Sequence, residues 1–270
     1  LFTLGVLVFV LLIASIIFKA FTSYIQLRFT NLREYTIGKR LVEGYLSQPY
    51  SWFLSRHSAD LGKSILSEVG IIIGHGLTPM MELIAKSFVA IALISLLIFI
   101  DPKIALIAGF TIGIAYGIIY KFSRSYINRI GQERVKANQM RFTAVSEAFG
   151  ASKEVKVGGL EKHFIKQFAE PAQTYARHVS SAAIVSQLPR YALEAVAFGG
   201  MLIVILYLMT ESGSFINAVP ILALYAFAGY RLMPALQGIY VSITQLRFVA
   251  PALNTLYDDI KNLKPSIIND

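Results

Sequence analysis

Two arginines and one carboxylate lie in or beside apolar stretches, where charged side chains are rare. Arg231 has about fifteen uncharged residues on either side, and Arg190 stands four residues before Glu194 at the start of another apolar stretch. Because a guanidinium group binds phosphate through two hydrogen bonds, both arginines are candidates for holding an anionic head group. The alternative for Arg231 is a salt bridge to Glu194 or Glu82, and the alternative for Arg190 is a local pair with Glu194.

Other chemistry is poorly supported by the residues present. Gly62-Lys63-Ser64 matches the end of a phosphate-binding loop, but His57 stands where the first glycine is required and no strand precedes it. The four histidines are scattered, and the chain has no cysteine. We therefore predict no catalytic residue and no metal site in this chain, and any ATP hydrolysis belongs to a domain outside it.

The composition is that of a membrane protein. Of the 270 residues 55% are hydrophobic and 15% are charged, with a mean hydropathy of +0.59, whereas a soluble domain is roughly 25% charged. Strand-like alternation is absent, and helices satisfy their own backbone groups in lipid. The sequence predicts an all-α fold with five membrane spans, at about 1–22, 70–100, 104–122, 190–210 and 215–246.

The basic residues indicate an orientation. Lys and Arg exceed Asp and Glu by nine, and 22 of the 25 basic residues lie in 19–70, 121–190 and 245–270. By the positive-inside rule, these segments and the C-terminus are predicted to be cytoplasmic. Lipid head groups explain the positive charge with less effort than a nucleic acid does. Five spans with a cytoplasmic C-terminus also lead us to expect at least one further span before Leu1.

Two long helical hairpins are predicted on the cytoplasmic side. Apolar residues recur at helical spacing in 19–48, and no breaker interrupts 121–146. These hairpins, 19–70 and 121–190, would turn near 48–53 and 149–152. The first turn carries the aromatic residues Tyr50, Trp52 and Phe53, which favour a partner over water. The alternative is a pair of solvated hairpins.

This layout resembles the transmembrane domain of ABC exporters, over essentially the whole chain. The segments that carry the resemblance are LSQPYSWF at 46–53, SEAFGASKEVK at 146–156 and ALNTLY at 252–257. The resemblance implies a six-helix bundle of which the chain holds five helices, the first helix and the nucleotide-binding domain being elsewhere. It also implies that two short coupling helices contact that domain, through Tyr50, Trp52, Phe53, Gly150, Ser152 and Lys153.

Two further stretches, LPRYALE at 188–194 and YRLMP at 230–234, are similar to bacterial lipid-linked oligosaccharide flippases of the protein-glycosylation type. That similarity implies a protein of the bacterial inner membrane that moves an anionic, lipid-linked glycan. Arg190, Arg231 and Glu194 would then lie in the substrate cavity. Gln237-Gly238 follow at the place where that branch carries a further basic residue, so the substrate stays open.

The resulting prediction is the membrane-spanning half of an ATP-driven exporter or flippase that works by alternating access. ATP and Mg²⁺ would be bound by the nucleotide-binding domain, and a second half, expected to be identical, would complete a homodimer in membrane lipid. The alternatives are export of a peptide, drug or ordinary lipid on the same scaffold, and a membrane receptor or scaffold without ATP coupling. We also predict a Glu82–Lys86 ion pair and a break or kink at Pro234.

Overall fold

The computed structural model describes the backbone of residues 2–100, 102–210 and 215–263. Within the helices, it does not describe the side chains at 100, 103–109, 111–112, 115, 193, 196–198, 200–229 and 231. The predicted short connections at 101–103 and 211–214 fall wholly or partly outside the described residues. The part of the chain that is described is nearly all helical and contains no strand, which confirms the predicted all-α class.

The described chain consists of long helices joined by shorter helical elements. In chain order the helical elements are α1 (Phe2–Leu46), α2 (Tyr50–Leu54), α3 (Ser58–Lys63), π1 (Ser64–Glu68), α4 (Val69–Ile72), π2 (Ile73–Leu77), α5 (Thr78–Ile100), α6 (Pro102–Gly150), α7 (Ser152–Val157), α8 (Glu161–Thr210) and α9 (Phe215–Asn262). The short helices α2 and α7 each join two long helices. We call the end of the bundle that carries α2 and α7 the tip end, and the other end the far end.

The long helices exceed the thickness of a membrane. At 1.5 Å per residue, the 49 residues of α6 extend about 73 Å, more than twice the roughly 30 Å of a hydrocarbon core. Proline does not end them: α8 contains Pro171 and Pro189, and α9 continues through Pro234. Of the break or kink predicted at Pro234, the break is therefore wrong, and the kink stays a prediction. In a membrane helix, surrounding structure can satisfy the backbone groups that a proline frees.

The segment from α3 to α5 is one continuous run of helical turns with two π-helical stretches in it. A π turn holds one extra residue and so rotates the side chains that follow it; such turns are frequent at functional sites. Glu68 ends π1 and His75 lies in π2. Both π stretches therefore change which residues face the rest of the bundle.

Packing is tightest among α5, α6, α8 and α9. One apolar cluster joins α5 to α9, and another joins α6, α8 and α9 through Ile127, Ile130, Ala182 and Phe248. Helices α6 and α9 approach closely at Gly131, where an added Cβ would lie 2.6 Å from the carbonyl oxygen of Phe248. Glycine at this position permits the contact that brings the two helices together.

Helix α1 is packed very differently along its length. Near the tip end it contacts π1, α4 and π2, and its residues Leu41 and Tyr45 are buried. Nearly all of residues 2–29 are exposed although they are strongly apolar. In the described part of the chain, Phe2–Leu46 and Ser58–Phe99 are the stretches long and apolar enough to cross a membrane. Exposed apolar surface of this kind fits contact with lipid.

Candidate functional site

A cavity of about 460 Å³ lies between the long helices, open toward one side of the bundle. Its wall comes from α4, π2, α6, α8 and α9, and most of its polar atoms belong to arginine, amide and hydroxyl side chains. The residues that line it are Ile71, His75, Arg134, Tyr175, Val179, Ala182, Ala183, Ser186, Gln187, Arg190, Gln237, Val241, Thr244, Gln245 and Phe248. Apolar and hydrogen-bonding side chains both line this wall, as in many ligand cavities.

Arg190 and Glu194 meet as the sequence predicted. They stand one helical turn apart on α8, and Arg190 Nε donates to Glu194 Oε1 at 2.7 Å. Arg190 lines the cavity, whereas Glu194 does not. The side chain of Arg231 lies outside the described residues. The structure thus shows the local ion pair, and whether either arginine binds substrate stays a prediction.

The predicted Glu82–Lys86 pair is wrong. Both side chains are described, and their charged groups are not within 4 Å of each other. The methylene stem of Lys86 lies instead along α9, where an added Cβ at Gly238 would be 3.1 Å from Lys86 Cγ. The close approach of α5 to α9 places the Lys86 stem against the other helix, where its methylene groups are covered.

A buried polar network beside the cavity was not predicted. Arg134 Nη2 donates to Glu68 Oε2 at 3.2 Å, and Asn138 Nδ2 donates to Glu68 Oε1 at 2.6 Å. Arg134, Asn138 and Glu68 are all buried. Arg141 extends the network by donating to Asn138 Oδ1 at 2.7 Å. A network like this joins π1 to α6 and is costly to break, since each lost partner leaves a buried polar group.

The sequence carried only a weak signal for this network. Arg134 and Asn138 are spaced i, i+4 and so share one face of a helix. Glu68 is the last charged residue before the long apolar stretch of 69–81. Nothing in the spacing joins the two, because the contact crosses 66 residues of chain and depends on the rotation introduced by π1.

The first tip, which is helix α2, is held to the end of α9 through Arg56. Trp52 stacks with Tyr45 at a centroid distance of 5.6 Å, and the Arg56 guanidinium lies 4.5 Å from the centre of the Trp52 ring. Arg56 Nη1 also donates to Asp259 Oδ1 at 2.9 Å. Trp52 and Phe53 are partly buried, whereas Tyr50 is largely exposed. The aromatic cluster is therefore partly covered within the chain, and Tyr50 remains on the surface.

The second tip, which is helix α7, has mostly exposed side chains. Gly150 ends α6, and Ser152 and Lys153 begin α7 with their side chains in solvent. Val155 is buried under the tip, and Gly159 turns the chain toward α8 with a φ of 63°, a conformation that favours glycine. A backbone hydrogen bond at the start of α8, and then the bond from Lys156, lowers the pKa of Glu161. The coupling role of both tips stays a prediction.

The segment Gly62-Lys63-Ser64 is helical. It lies at the junction of α3 and π1, and Lys63 and Ser64 are buried beside Ala252 and Leu256 of α9. A phosphate-binding loop needs backbone N–H groups that point into an open cradle. This helical junction offers no such cradle.

Comparison with known proteins identifies the scaffold. The family model of the ABC transporter transmembrane region matches residues 3–240. Among solved structures, the chain is similar to a bacterial Atm1-family ABC exporter with ATP bound, with a TM-score of 0.68 and 12% sequence identity over 87% of this chain and 41% of that one. At this identity the likeness shows the fold alone, and the chain spans about two fifths of that exporter's length. Since the family model covers most of the sequence, this chain belongs to the ABC transporter transmembrane region family.

Proposed function

We propose that the chain is the membrane-spanning half of an ATP-driven exporter or flippase whose substrate is an anionic amphipath, a lipid-linked glycan being the leading candidate. The observation that carries this proposal is the cavity. Among the residues whose side chains are described, two arginines line it, while the carboxylates with which they pair, Glu68 and Glu194, are not part of its lining. Two cationic residues therefore belong to the wall of the space that a substrate would occupy, and a guanidinium group is suited to bind an anion.

The orientation and location follow from the charge distribution. Most basic residues lie toward the tip end of the bundle, which favours a cytoplasmic position for both tips. The stretches at 188–194 and 230–234 resemble those of bacterial flippases, and this resemblance supports the bacterial inner membrane as the proposed location. In this orientation Arg190 lies about 30 Å along α8 from Thr210 and hence near the inner membrane surface. A pyrophosphate at Arg190 would leave its lipid tail in the bilayer.

ATP and Mg²⁺ would bind to nucleotide-binding domains outside this chain. The exposed residues of the tips, Tyr50 on α2 and Ser152 and Lys153 on α7, are the proposed contacts with those domains, together with Trp52 and Phe53. Two transmembrane halves, identical in the simplest case, would enclose one substrate path. The similar exporter of known structure was solved with ATP bound, which supports this assignment.

A contact within the chain links the tips to the cavity wall. Arg56, next to the first tip, is bonded to Asp259 near the end of α9, and α9 also supplies Gln237, Thr244 and Gln245 to the cavity. Closure of the nucleotide-binding domains would therefore displace α9 and change the cavity. ATP drives such a change by binding one of the two arrangements more tightly than the other.

The test uses the full-length transporter, with its nucleotide-binding domain, in nanodiscs of bacterial phospholipid. ATPase activity is measured against farnesyl pyrophosphate and against farnesol, which has the same tail without the anion. We expect stimulation by the pyrophosphate only, and an apparent affinity lowered by about tenfold or more in Arg190→Gln, as loss of a charged hydrogen bond predicts. Arg177→Gln, exposed on the same helix and outside the cavity lining, is the matched control.

The same assay separates the alternatives. Arg231→Ala is expected to keep basal ATPase activity and to lose stimulation by the lipid-linked pyrophosphate. Equal stimulation by farnesol and farnesyl pyrophosphate would contradict an anionic substrate and favour export of a neutral lipid or drug. A full-length gene and operon without a phosphate-binding-loop domain would reject ATP-driven transport and leave the receptor or scaffold.

A further inference from the structure

We propose that the tip-end half of the cavity contains a second oxyanion site, centred on Arg134. It would take a phosphate or carboxylate group carried by the water-soluble part of the substrate. This inference rests on the proposed function, because it assumes that the substrate occupies the cavity. It adds a recognition site that is separate from Arg190.

The first argument is the state of the Arg134 donors. Its side chain is 1% exposed, and Nη2 donates to Glu68. In the described part of the chain, Nε and Nη1 have no hydrogen-bond acceptor, and both are buried. A buried N–H group without an acceptor is unfavourable, and such groups are rare in folded proteins. Arg134 is one of the residues that line the cavity, and its guanidinium lies 5.5 Å from the centre of the Phe248 ring. An oxyanion that reached Nε and Nη1 past Phe248 would supply the missing acceptors.

The second argument is the charge around Arg134. Glu68 is shared, since one of its oxygens accepts from Arg134 and the other from Asn138. Arg141 joins the same network through Asn138. Among these described groups the network holds two guanidinium cations and one carboxylate, and only Arg134 is paired with that carboxylate. The excess positive charge favours an anion at the side that faces the cavity.

The third argument is depth. Arg134 lies 32 residues from the start of α6, or about 48 Å along the helix, whereas Arg190 lies about 30 Å from the far end of α8. The lining residues of α9 cover a similar range of depth. Gln237 and Phe248 lie about 33 and 50 Å from the start of this helix. The two arginines are thus about 18 Å apart in depth, by the same helical rise. One phosphate group cannot reach both, so Arg134 would bind a different group, below the membrane surface.

The experiment follows the site with a cysteine reporter, since the chain has no cysteine of its own. Gln245→Cys is on the cavity wall, one turn of α9 from Phe248. The full-length Gln245→Cys transporter is placed in nanodiscs, and ADP saturates its nucleotide sites. Mass spectrometry then measures how fast the neutral reagent N-ethylmaleimide labels the thiol introduced at position 245. We expect inorganic pyrophosphate to slow labelling at least fivefold, and Arg134→Gln to abolish this protection.

Glu68→Gln distinguishes a binding role from a structural one. It removes the carboxylate that competes for Arg134, so protection should reach its midpoint at a lower pyrophosphate concentration. If Arg134 only held helices together, Glu68→Gln and Arg134→Gln would weaken protection alike. Should Arg134→Gln fail to fold, a midpoint in Glu68→Gln that is unchanged or higher would still overturn the proposal.

Two further outcomes would also reject the second site. One is no protection by pyrophosphate in the reporter protein, and the other is equal protection in Arg134→Gln. Protection by farnesyl pyrophosphate but not by inorganic pyrophosphate would assign the anion to the lipid head group and overturn the placement on the water-soluble part. The farnesyl pyrophosphate-stimulated ATPase activity, measured separately, reports whether the proposed function still holds.

Discussion

The two arginines that line the cavity are held in opposite ways. Arg134 is paired with Glu68 across two helical elements, and the two side chains are 1% and 6% exposed. Arg190 is paired with Glu194 one turn away on the same helix, and these side chains are 53% and 37% exposed. Both arginines are among the residues that line the cavity, and neither carboxylate is. They differ in what would be lost if the carboxylate were removed.

The difference in exposure predicts which ion pair contributes to the stability of the fold and which can be broken at little cost. Removing one partner of a buried pair leaves a charge without water or counter-ion, which is strongly destabilising. An exposed pair keeps its water when it is broken and contributes little. Arg134 therefore fixes π1 against α6, whereas the Arg190–Glu194 pair can be broken at little cost to the fold. Under the proposed function, Arg190 would exchange Glu194 for the substrate anion.

The largest expected effect is that of Glu68→Leu. It leaves Arg134 buried without its carboxylate, and we expect the free energy of unfolding to fall by about 3–5 kcal/mol. Thermal unfolding of the purified transporter measures the change. The double variant Glu68→Leu/Arg134→Met removes both charges and should recover most of the stability. A double variant no more stable than Glu68→Leu would contradict the comparison.

The next effect concerns the helix contact that places Phe248 beside Arg134. In Gly131→Ala the new methyl group would lie 2.6 Å from the Phe248 carbonyl oxygen, so α6 and α9 must move apart. We expect a loss of about 1–3 kcal/mol, typical of overpacking. Gly117→Ala is the matched control on α6, because an added Cβ meets nothing within 4 Å there. Equal melting temperatures for the two variants would show that the contact is not tight.

The Arg56–Asp259 pair is an intermediate case. Its side chains are 33% and 22% exposed, and the guanidinium also lies over Trp52. Arg56→Gln should cost at most about 1 kcal/mol in stability. It should lower the number of substrates transported per ATP hydrolysed, since it loosens the first tip from α9. Unchanged transport per ATP, measured in vesicles, would argue against a role of this contact in coupling.

The smallest structural effect is expected for Glu194→Leu. The pair is local and exposed, so the melting temperature should not change within error. The concentration of farnesyl pyrophosphate that half-stimulates ATPase activity should fall by roughly two- to fivefold, within the range expected for release of an exposed ion pair. A clear drop in melting temperature would mean that this pair, like Arg134–Glu68, is part of the fold.

Local features of the chain were predictable from sequence. The Arg190–Glu194 contact is confirmed because residues four apart on a helix must be neighbours. The short helices α2 and α7 form where Pro49 and Gly150 interrupt long apolar repeats. The Glu82–Lys86 pair had the same spacing and failed, because Gly238 on α9 lets the Lys86 stem lie against another helix. The spacing of residues along one helix does not predict contacts with a neighbouring helix.

The sequence by itself determined the helical class, the membrane character and the direction of the charge bias. These follow from composition and from periodicity over a few turns, which any stretch of chain expresses without its neighbours. Tertiary structure alone decided that Glu68 meets Arg134 and Asn138, and that Arg134 shares a cavity with Arg190. Those contacts lie at the end of π1 and near the close approach of α6 to α9 at Gly131. They join residues far apart in the chain, so no local pattern could specify them.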